Sequence, residues 1–163
     1  MSYSCLLVHT VLVCQERQPM LEPEMRVRLY PFLGSLLQQR KAALLAVNGM
    51  SDHVHALISL ARTQTIAEVM REVKAISSRW IHEELWRPGF RWQSEYAAFS
   101  VSPSSRGRVE RYIANQEQHH RKFDLRQEML ALLQAHGIEP SPHDPWLGSA
   151  VTVPVQSRRD DEE

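Results

Sequence analysis

Two histidines one residue apart, His53 and His55, form the motif in this sequence best suited to chemistry. They lie in the stretch NGMSDHVHALISL, which begins at Asn48 and alternates them with apolar residues. In an extended strand residues i and i+2 share a face, so the two imidazoles project side by side, about 6.6 Å apart. Such a pair can bind one divalent cation. Because the chain has eight histidines, a His-x-His triplet alone is also consistent with two histidines that bind no metal.

A tyrosine and a glutamine four residues apart form the second motif. Tyr112 and Gln116 fall in the stretch RYIANQEQHHRK. On a continuous helix they lie on one face, about 6 Å apart, so a phenol and an amide approach one target. For any single Tyr-x-x-x-Gln, a tyrosine packed against the sheet above an exposed glutamine is the better interpretation. That alternative weakens when both motifs occur in one chain.

Several other polar residues are weaker candidates. Asp52 either orients a ligand histidine or serves as a turn residue before the strand. His119 and His120 either assist at the site, contact phosphate or are solvated near a helix end. His9 is interpreted as a partly buried residue whose polar atoms are satisfied. The cations that either contact a nucleic-acid backbone or belong to solvated helix faces are Arg71, Lys74, Arg79, Arg106, Arg108 and Arg111.

The first half of the chain predicts three strands around one helix. Residues Tyr3–Cys14 form an apolar strand, and a helix follows in which Pro31 should cause a kink or a division. Residues Lys41–Met50, which end in an Asn-Gly pair, and Asp52–Ala61 form two strands joined by a short turn.

The second half predicts three helices and one strand. Thr65 and Glu68 form a capping box that begins a helix reaching Ile81. Residues Tyr96–Ser102 form a strand, a helix over 108–122 carries the second motif, and a helix over 126–137 ends at Gly137. The element order is that of an α+β, ferredoxin-like split βαβ domain with an antiparallel sheet, followed by helices.

Length and composition are those of one domain over 1–137 and an irregular or disordered tail over 138–163. Formal net charge is zero, although 106–126 is locally basic. Cys5 and Cys14 lie too far apart in one strand to form a disulfide, which favours a reducing compartment. With neither a membrane span nor a secretory leader recognisable, a cytoplasmic protein is expected.

Three blocks of the sequence resemble a known family. GMSDHVHALISL, WQSEYAAFSVSPS and RYIANQEQHHRK, in this order and spacing, closely resemble the single-tyrosine HUH transposases, the insertion-sequence-200-like group that includes the REP-associated tyrosine transposases. The resemblance extends from about Tyr3 to Gly137. Where the family commonly follows strand one with a Thr-Lys-x-Arg-like segment, this chain has CQERQPM, with Gln15 and Glu16, and so departs from the family pattern at a basic DNA contact.

The resemblance implies a DNA transposase that acts on single-stranded DNA with hairpin ends. Tyr112, on a helix C-terminal to the sheet, would be the nucleophile, and His53, His55 and Gln116 would hold Mg²⁺ or Mn²⁺. A 5′-phosphotyrosine would retain the energy of the phosphodiester for rejoining to a 3′-OH. The family also implies a homodimer, because excision requires two cleavages.

Two other functions remain open on the sequence alone. The first is a binding module that holds nucleic-acid hairpins without cutting them, as in a transposase relative retained by its host. The second is a metalloprotein in which His53 and His55 bind Zn²⁺ together with His119 or His120.

Overall fold

The computed structural model describes residues 1–144, 146 and 147, and within them a four-stranded sheet carries helices on both faces. The strands and helices are β1 (Leu7–Val13), α1 (Pro23–Gln39), β2 (Ala43–Gly49), β3 (His53–Ser59), α2 (Ile66–Glu84), β4 (Ala97–Val101), α3 (Arg106–Ala114), α4 (Gln116–His119) and α5 (Leu125–Ala135). A Thr65 capping box begins α2, as predicted, and Gly137 adopts a positive φ just beyond α5, also as predicted.

The strand order β2-β3-β1-β4, with every neighbouring pair antiparallel, confirms the predicted fold class. Since β3 runs antiparallel to both β1 and β2, it separates two parallel strands, which is the split βαβ arrangement. The register pairs Val11 with His55 and His9 with Leu57. These residues therefore share one face of the sheet.

The other face of the sheet holds the main hydrophobic core. Even-numbered residues of β1 and β3, such as Leu12 and Ile58, are buried there. Apolar side chains of α1 and α2, among them Leu29, Leu33 and Val73, complete this cluster. The opposite face, which carries His53 and His55, is covered by α3 and α4, which follow β4.

Of the two effects expected of Pro31, a division of the helix does not occur, because α1 runs through this residue from Pro23 to Gln39. Proline removes the bond to the carbonyl of Val27, and both residues are exposed, so water can replace that bond. The Asn48-Gly49 pair ends β2, and the short turn predicted between the two strands follows at 50–52. A Cβ on Gly49 would meet the carbonyl oxygen of His53 at 2.2 Å, so close approach of β3 requires glycine here.

The chain divides into two compact units, one over Met1–Phe123 and one that begins at Asp124. The first contains the sheet and α1 to α4. The second contains α5, which begins at a capping box formed by Asp124 and Gln127. The predicted domain boundary at residue 137 remains a prediction.

The predicted tail is only partly covered by the structure. Its described residues, 138–144 with 146 and 147, form no helix or strand, and Trp146 and Leu147 are buried. Residue 145 and residues 148–163 lie outside the described part. Both cysteines are free, as expected from their separation. No described helix combines the length and apolar character that crossing a membrane requires.

Candidate functional site

His53 and His55 lie side by side on β3 and have no solvent-exposed surface. Their ring centroids are 5.1 Å apart, and the ring planes are nearly perpendicular at 81°. The alternation of the strand places both on the face opposite the main core, as the sequence predicted. Burying two polar rings is costly unless their nitrogens find partners, so those partners define the site.

Asp52 fixes the orientation of His53. His53 Nδ1 donates to Asp52 Oδ1 at 2.7 Å, which directs Nε2 away from the carboxylate. Two backbone hydrogen bonds stabilise the turn that contains Asp52. Cys14 N donates to Asp52 O and Leu21 N donates to Ser51 O, each at 2.8 Å. Asp52 is thus a turn residue whose carboxylate contacts a candidate ligand, and its role in orienting that ligand for a metal stays a prediction.

Electrostatics at Asp52 favour the carboxylate. Burial raises the pKa of Asp52, but the hydrogen bond from His53 and the electrostatic influence of His53 and His120 outweigh burial. The pKa of Asp52 consequently lies below its ordinary value. An ionised acceptor at this position forms a strong bond to the imidazole.

Gln116 brings an amide oxygen to the histidines. Its side chain is fully buried, with Oε1 3.3 Å from His53 Nε2 and 3.1 Å from His120 Nε2. His120 follows Gln116 by one helical turn, and its ring centroid lies 4.6 Å from that of His53. His53, His55 and His120 each offer a nitrogen, and these three nitrogens lie within 4.8 Å of one another.

The helix predicted over 108–122 is interrupted, which was not expected. Helix α3 ends at Ala114, Asn115 adopts φ −97° and ψ 21°, and α4 begins at Gln116. Asn48 of β2 stabilises the interruption, because its Nδ2 donates to the carbonyl oxygen of Ala114 at 3.1 Å. That carbonyl is one of the groups that the end of a helix leaves without an intrahelical partner. Tyr112 and Gln116 thus belong to two successive helices.

Tyr112 lies beside the histidine cluster. Its ring centroid is 5.8 Å from that of His55, 5.9 Å from that of His9 and 5.3 Å from that of His119, each in an edge arrangement. The side chain is half-buried, and its neighbour Ile113 packs with Leu7 and Leu57 in a small apolar cluster beneath α3. This packing places the phenol ring against a candidate metal ligand.

The structure extends the predicted site with two residues. His9 is buried and hydrogen-bonded, as interpreted, but its partner is a candidate ligand, since its Nε2 lies 2.8 Å from His55 Nδ1. The split βαβ order, which puts β1 next to β3, was the signal that could have linked His9 to His55. Asn48, noted only as part of the Asn-Gly pair that ends its strand, reaches from β2 to the carbonyl oxygen of Ala114 on α3. Arg111 is exposed on α3 and remains a weak prediction.

A separate cleft of about 420 Å³ lies between α2 and the segment before β4, on the core side of the sheet. Arg71, Lys74 and Arg91 line it, with the rings of Trp92 and Tyr96. Lys74 Nζ donates to the carbonyl oxygen of Ser94. Burial lowers the pKa of Lys74, and the Glu95 carboxylate only partly offsets this.

Sequence comparisons place these features among transposases. The model of a family described as "Transposase IS200 like" matches residues 2–116, which include the sheet, Tyr112 and Gln116. The ISDra2 transposase TnpA of Deinococcus radiodurans is 27% identical over 115 residues, which cover 66% of this chain and 81% of the relative.

Two solved structures of transposases resemble this chain. A protein from Deinococcus radiodurans R1 assigned as a transposase has a TM-score of 0.57 at 26% identity, covering 71% of this chain and 93% of its own. A REP-associated tyrosine transposase bound to a REP hairpin has a TM-score of 0.56 and covers 94% of this chain and 92% of its own. At 13% identity the second likeness shows a shared fold alone.

Proposed function

The chain belongs to the family of IS200-like transposases, and from that premise we propose that it cleaves and rejoins single-stranded DNA through a covalent bond to Tyr112. One observation carries the proposal. The ring of Tyr112 packs against His55, whose strand neighbour His53 lies within 3.3 Å of the amide oxygen of Gln116. A nucleophile and a set of metal-binding atoms are thereby assembled at one place.

The residues present fit a divalent cation. Two atoms that each lie about 2.1 Å from an ion are about 3.0 Å apart at a right angle and about 3.4 Å apart at a tetrahedral angle. Gln116 Oε1 lies 3.3 Å from His53 Nε2 and 3.1 Å from His120 Nε2, within that range. We assign His53, His55 and Gln116 as ligands of Mg²⁺ or Mn²⁺, with His120 as a fourth.

When bound, the cation would neutralise charge that develops on the scissile phosphate. The four protein ligands are neutral when they bind a metal, so they leave the positive charge of the ion uncompensated. An anionic phosphate oxygen is therefore a favourable additional ligand. Asp52 contributes a negative charge only through His53, where it holds the ring in place.

The cleavage step exchanges one phosphodiester for another. The Tyr112 oxygen attacks the phosphorus and loses its proton, the bond from phosphorus to the 3′-oxygen breaks, and that oxygen leaves as a 3′-OH after gaining a proton. Rejoining is the reverse reaction with another 3′-OH. Because the number of phosphoester bonds is unchanged, no nucleotide cofactor is required.

DNA with a hairpin end is the substrate we propose. The REP-associated relative was solved with a REP hairpin, and this chain shares its fold. The basic cleft of Arg71, Lys74 and Arg91 supplies backbone contacts on the other side of the sheet. A host-retained protein that binds hairpins without cutting is the alternative, and the presence of both Tyr112 and the ligand set favours cleavage.

A homodimer follows from the proposed reaction. Excision of a DNA segment requires two cleavages, whereas one Tyr112 holds one 5′ end at a time. Two copies with closed symmetry meet this need. Light scattering of the full chain with a hairpin oligonucleotide should give the mass of a dimer, and a monomer at micromolar concentration would contradict the assembly.

Cleavage of single-stranded DNA tests the function. The full chain is incubated with oligonucleotides from the flanks of its own gene, with Mg²⁺ or Mn²⁺ or with a chelator. Cleavage should require the cation and should be abolished in His53→Ala and His55→Ala, while both variants remain folded. Hairpin binding without cleavage in every metal would instead support the binding module.

A further inference from the structure

His9 lies on β1, directly beside the strand that carries the candidate ligands. It pairs with Leu57, and His55 is two residues from Leu57 along β3, so His9 and His55 are diagonal neighbours on one face. Diagonal neighbours in an antiparallel pair are within reach of aromatic side chains. His9 is buried, with 3% of its surface exposed.

The two rings are joined through specific nitrogens. His9 Nε2 lies 2.8 Å from His55 Nδ1, and the ring centroids are 5.1 Å apart. One nitrogen of such a pair donates and the other accepts. If His55 is to bind a cation through Nε2, that nitrogen must be unprotonated, so Nδ1 carries the hydrogen and donates to His9.

His53, the other histidine of β3, has the same arrangement, with a hydrogen-bond acceptor at its Nδ1. His53 Nδ1 donates to Asp52, which leaves Nε2 toward Gln116. Metal-binding histidines usually donate the second ring hydrogen to a carboxylate, a carbonyl or water, and this fixes both tautomer and ring orientation. His9 occupies at His55 the position that Asp52 occupies at His53.

His9 also touches the proposed nucleophile. Its ring centroid lies 5.9 Å from that of Tyr112 and 6.1 Å from that of Phe99, both in edge geometry. One buried side chain therefore contacts a candidate ligand on one side and the phenol ring on another. A substitution at His9 therefore removes a contact with each of them.

We propose that His9 is a positioning residue that holds His55 as its Nδ1-protonated tautomer, with Nε2 toward the cation, and supports the ring of Tyr112. The metal-binding part rests on the proposed function. The tautomer part concerns the protein alone and can be tested without metal or DNA.

Two variants separate positioning from packing. His9→Leu fills the space but cannot accept a hydrogen bond, whereas His9→Gln places an amide oxygen near the position of the imidazole Nε2. The control is His82→Leu, which removes a histidine of α2 whose Nε2 lies 2.7 Å from the carbonyl oxygen of Phe90, outside the site.

The first measurement is the tautomer of His55 by ¹⁵N NMR of the metal-free protein. Protonation at Nδ1 is expected in wild type and in His9→Gln, with the Nε2-protonated form rising in His9→Leu. A His55 that carries its hydrogen on Nε2 in wild type overturns the proposal, whatever the enzyme does. This measurement on wild type remains decisive if His9→Leu fails to fold.

The second measurement is the Mn²⁺ dissociation constant of the folded chain, followed by the electron paramagnetic resonance of free Mn²⁺. His9→Leu should weaken binding by about 10-fold to 100-fold, the usual effect of removing such a partner, and His9→Gln should restore most of the affinity. Unchanged affinity in folded His9→Leu overturns the proposed role. No Mn²⁺ binding by wild type would contradict the proposed metal function and leave the tautomer result to decide on His9.

Discussion

Asn48 Nδ2 donates a hydrogen bond to the carbonyl oxygen of Ala114 at 3.1 Å, joining the end of β2 to the end of α3. The bond lies where the helix expected from the sequence is interrupted, and the next helix begins with Gln116. Asn48 Oδ1 meanwhile accepts from Gly49 N at 2.9 Å, which fixes the amide. The position of Gln116 beside His53 thus depends on a side chain from another strand.

Asn48→Ala should weaken the metal site more than it weakens the fold. Loss of the bond to Ala114 should lower the free energy of unfolding by about 1 kcal/mol, the typical net value of one hydrogen bond. With Gln116 less firmly held, the Mn²⁺ dissociation constant should rise. Urea denaturation and Mn²⁺ titration measure the two effects, with Gln118→Ala, an exposed amide on α4, as the control. Reduced stability with unchanged Mn²⁺ affinity would contradict this role of Asn48.

His120→Ala should weaken Mn²⁺ binding, because its Nε2 lies 3.1 Å from Gln116 Oε1 and its ring lies beside that of His53. His82→Ala is the control, because His82 lies on α2 with its Nε2 2.7 Å from the carbonyl oxygen of Phe90, so its removal should leave Mn²⁺ affinity unchanged. Isothermal titration of both variants distinguishes them. Equal affinities in the two variants would remove His120 from the ligand set.

The sequence predicted the fold and the central residues for physical reasons. Alternation along β3 separates His53 and His55 from the core residues Val54 and Ile58, and the element order identifies the sheet topology, which the strand pairing confirms. The three quoted blocks indicated the family, which the match over residues 2–116 confirms.

The contacts that a sequence alone could not supply arise between distant strands and helices. The side-chain contact between His9 and His55 depends on the β1–β3 register. The interruption of the helix at Asn115 is stabilised by the hydrogen bond from Asn48. Pro31 removes one helical hydrogen bond, yet α1 continues through it, and the exposure of Pro31 and Val27 lets water replace that bond. Sequence patterns alone did not predict these features, because contacts between distant segments or exposure to solvent determine them.

Alkylation should distinguish the two cysteines. Burial raises the pKa of Cys14 from 9.0 to about 12, so its thiol stays protonated and inaccessible at pH 8, whereas Cys5 is exposed. Iodoacetamide should modify Cys5 alone in the native protein and both cysteines in urea, as read by mass spectrometry. Equal rates at both positions in the native state would show that Cys14 is not buried.

The raised pKa of Cys14 also predicts the direction of an alkaline effect. The unfolded chain ionises this thiol near pH 9.0 and the folded chain only near 12, so protonated Cys14 contributes stability below pH 9.0. That contribution should decline as pH rises through this window. Urea midpoints of wild type and Cys14→Ala should converge between pH 9 and 12, and a constant difference would contradict the assignment.

The cleft on α2 predicts salt-dependent DNA binding. Arg71 and Arg91 line it, whereas Arg79 is exposed on the same helix outside it. Arg71→Ala with Arg91→Ala should flatten the dependence of log affinity on log salt by about 0.7 for each lost phosphate contact to a single strand. Arg79→Ala is the matched control. An unchanged slope in the double variant would exclude the cleft as a backbone contact.

The role of Tyr112 is tested by identifying the amino acid that becomes joined to DNA. The full chain is trapped with a single-stranded hairpin substrate and Mn²⁺, digested and analysed by mass spectrometry. We expect a 5′-linked nucleotide on the peptide that contains Tyr112, and Tyr112→Phe, which keeps the ring and its packing, should bind DNA but form no adduct and no cleavage product. Cleavage that persists in Tyr112→Phe, or an adduct at Tyr3, Tyr30 or Tyr96, would contradict that role.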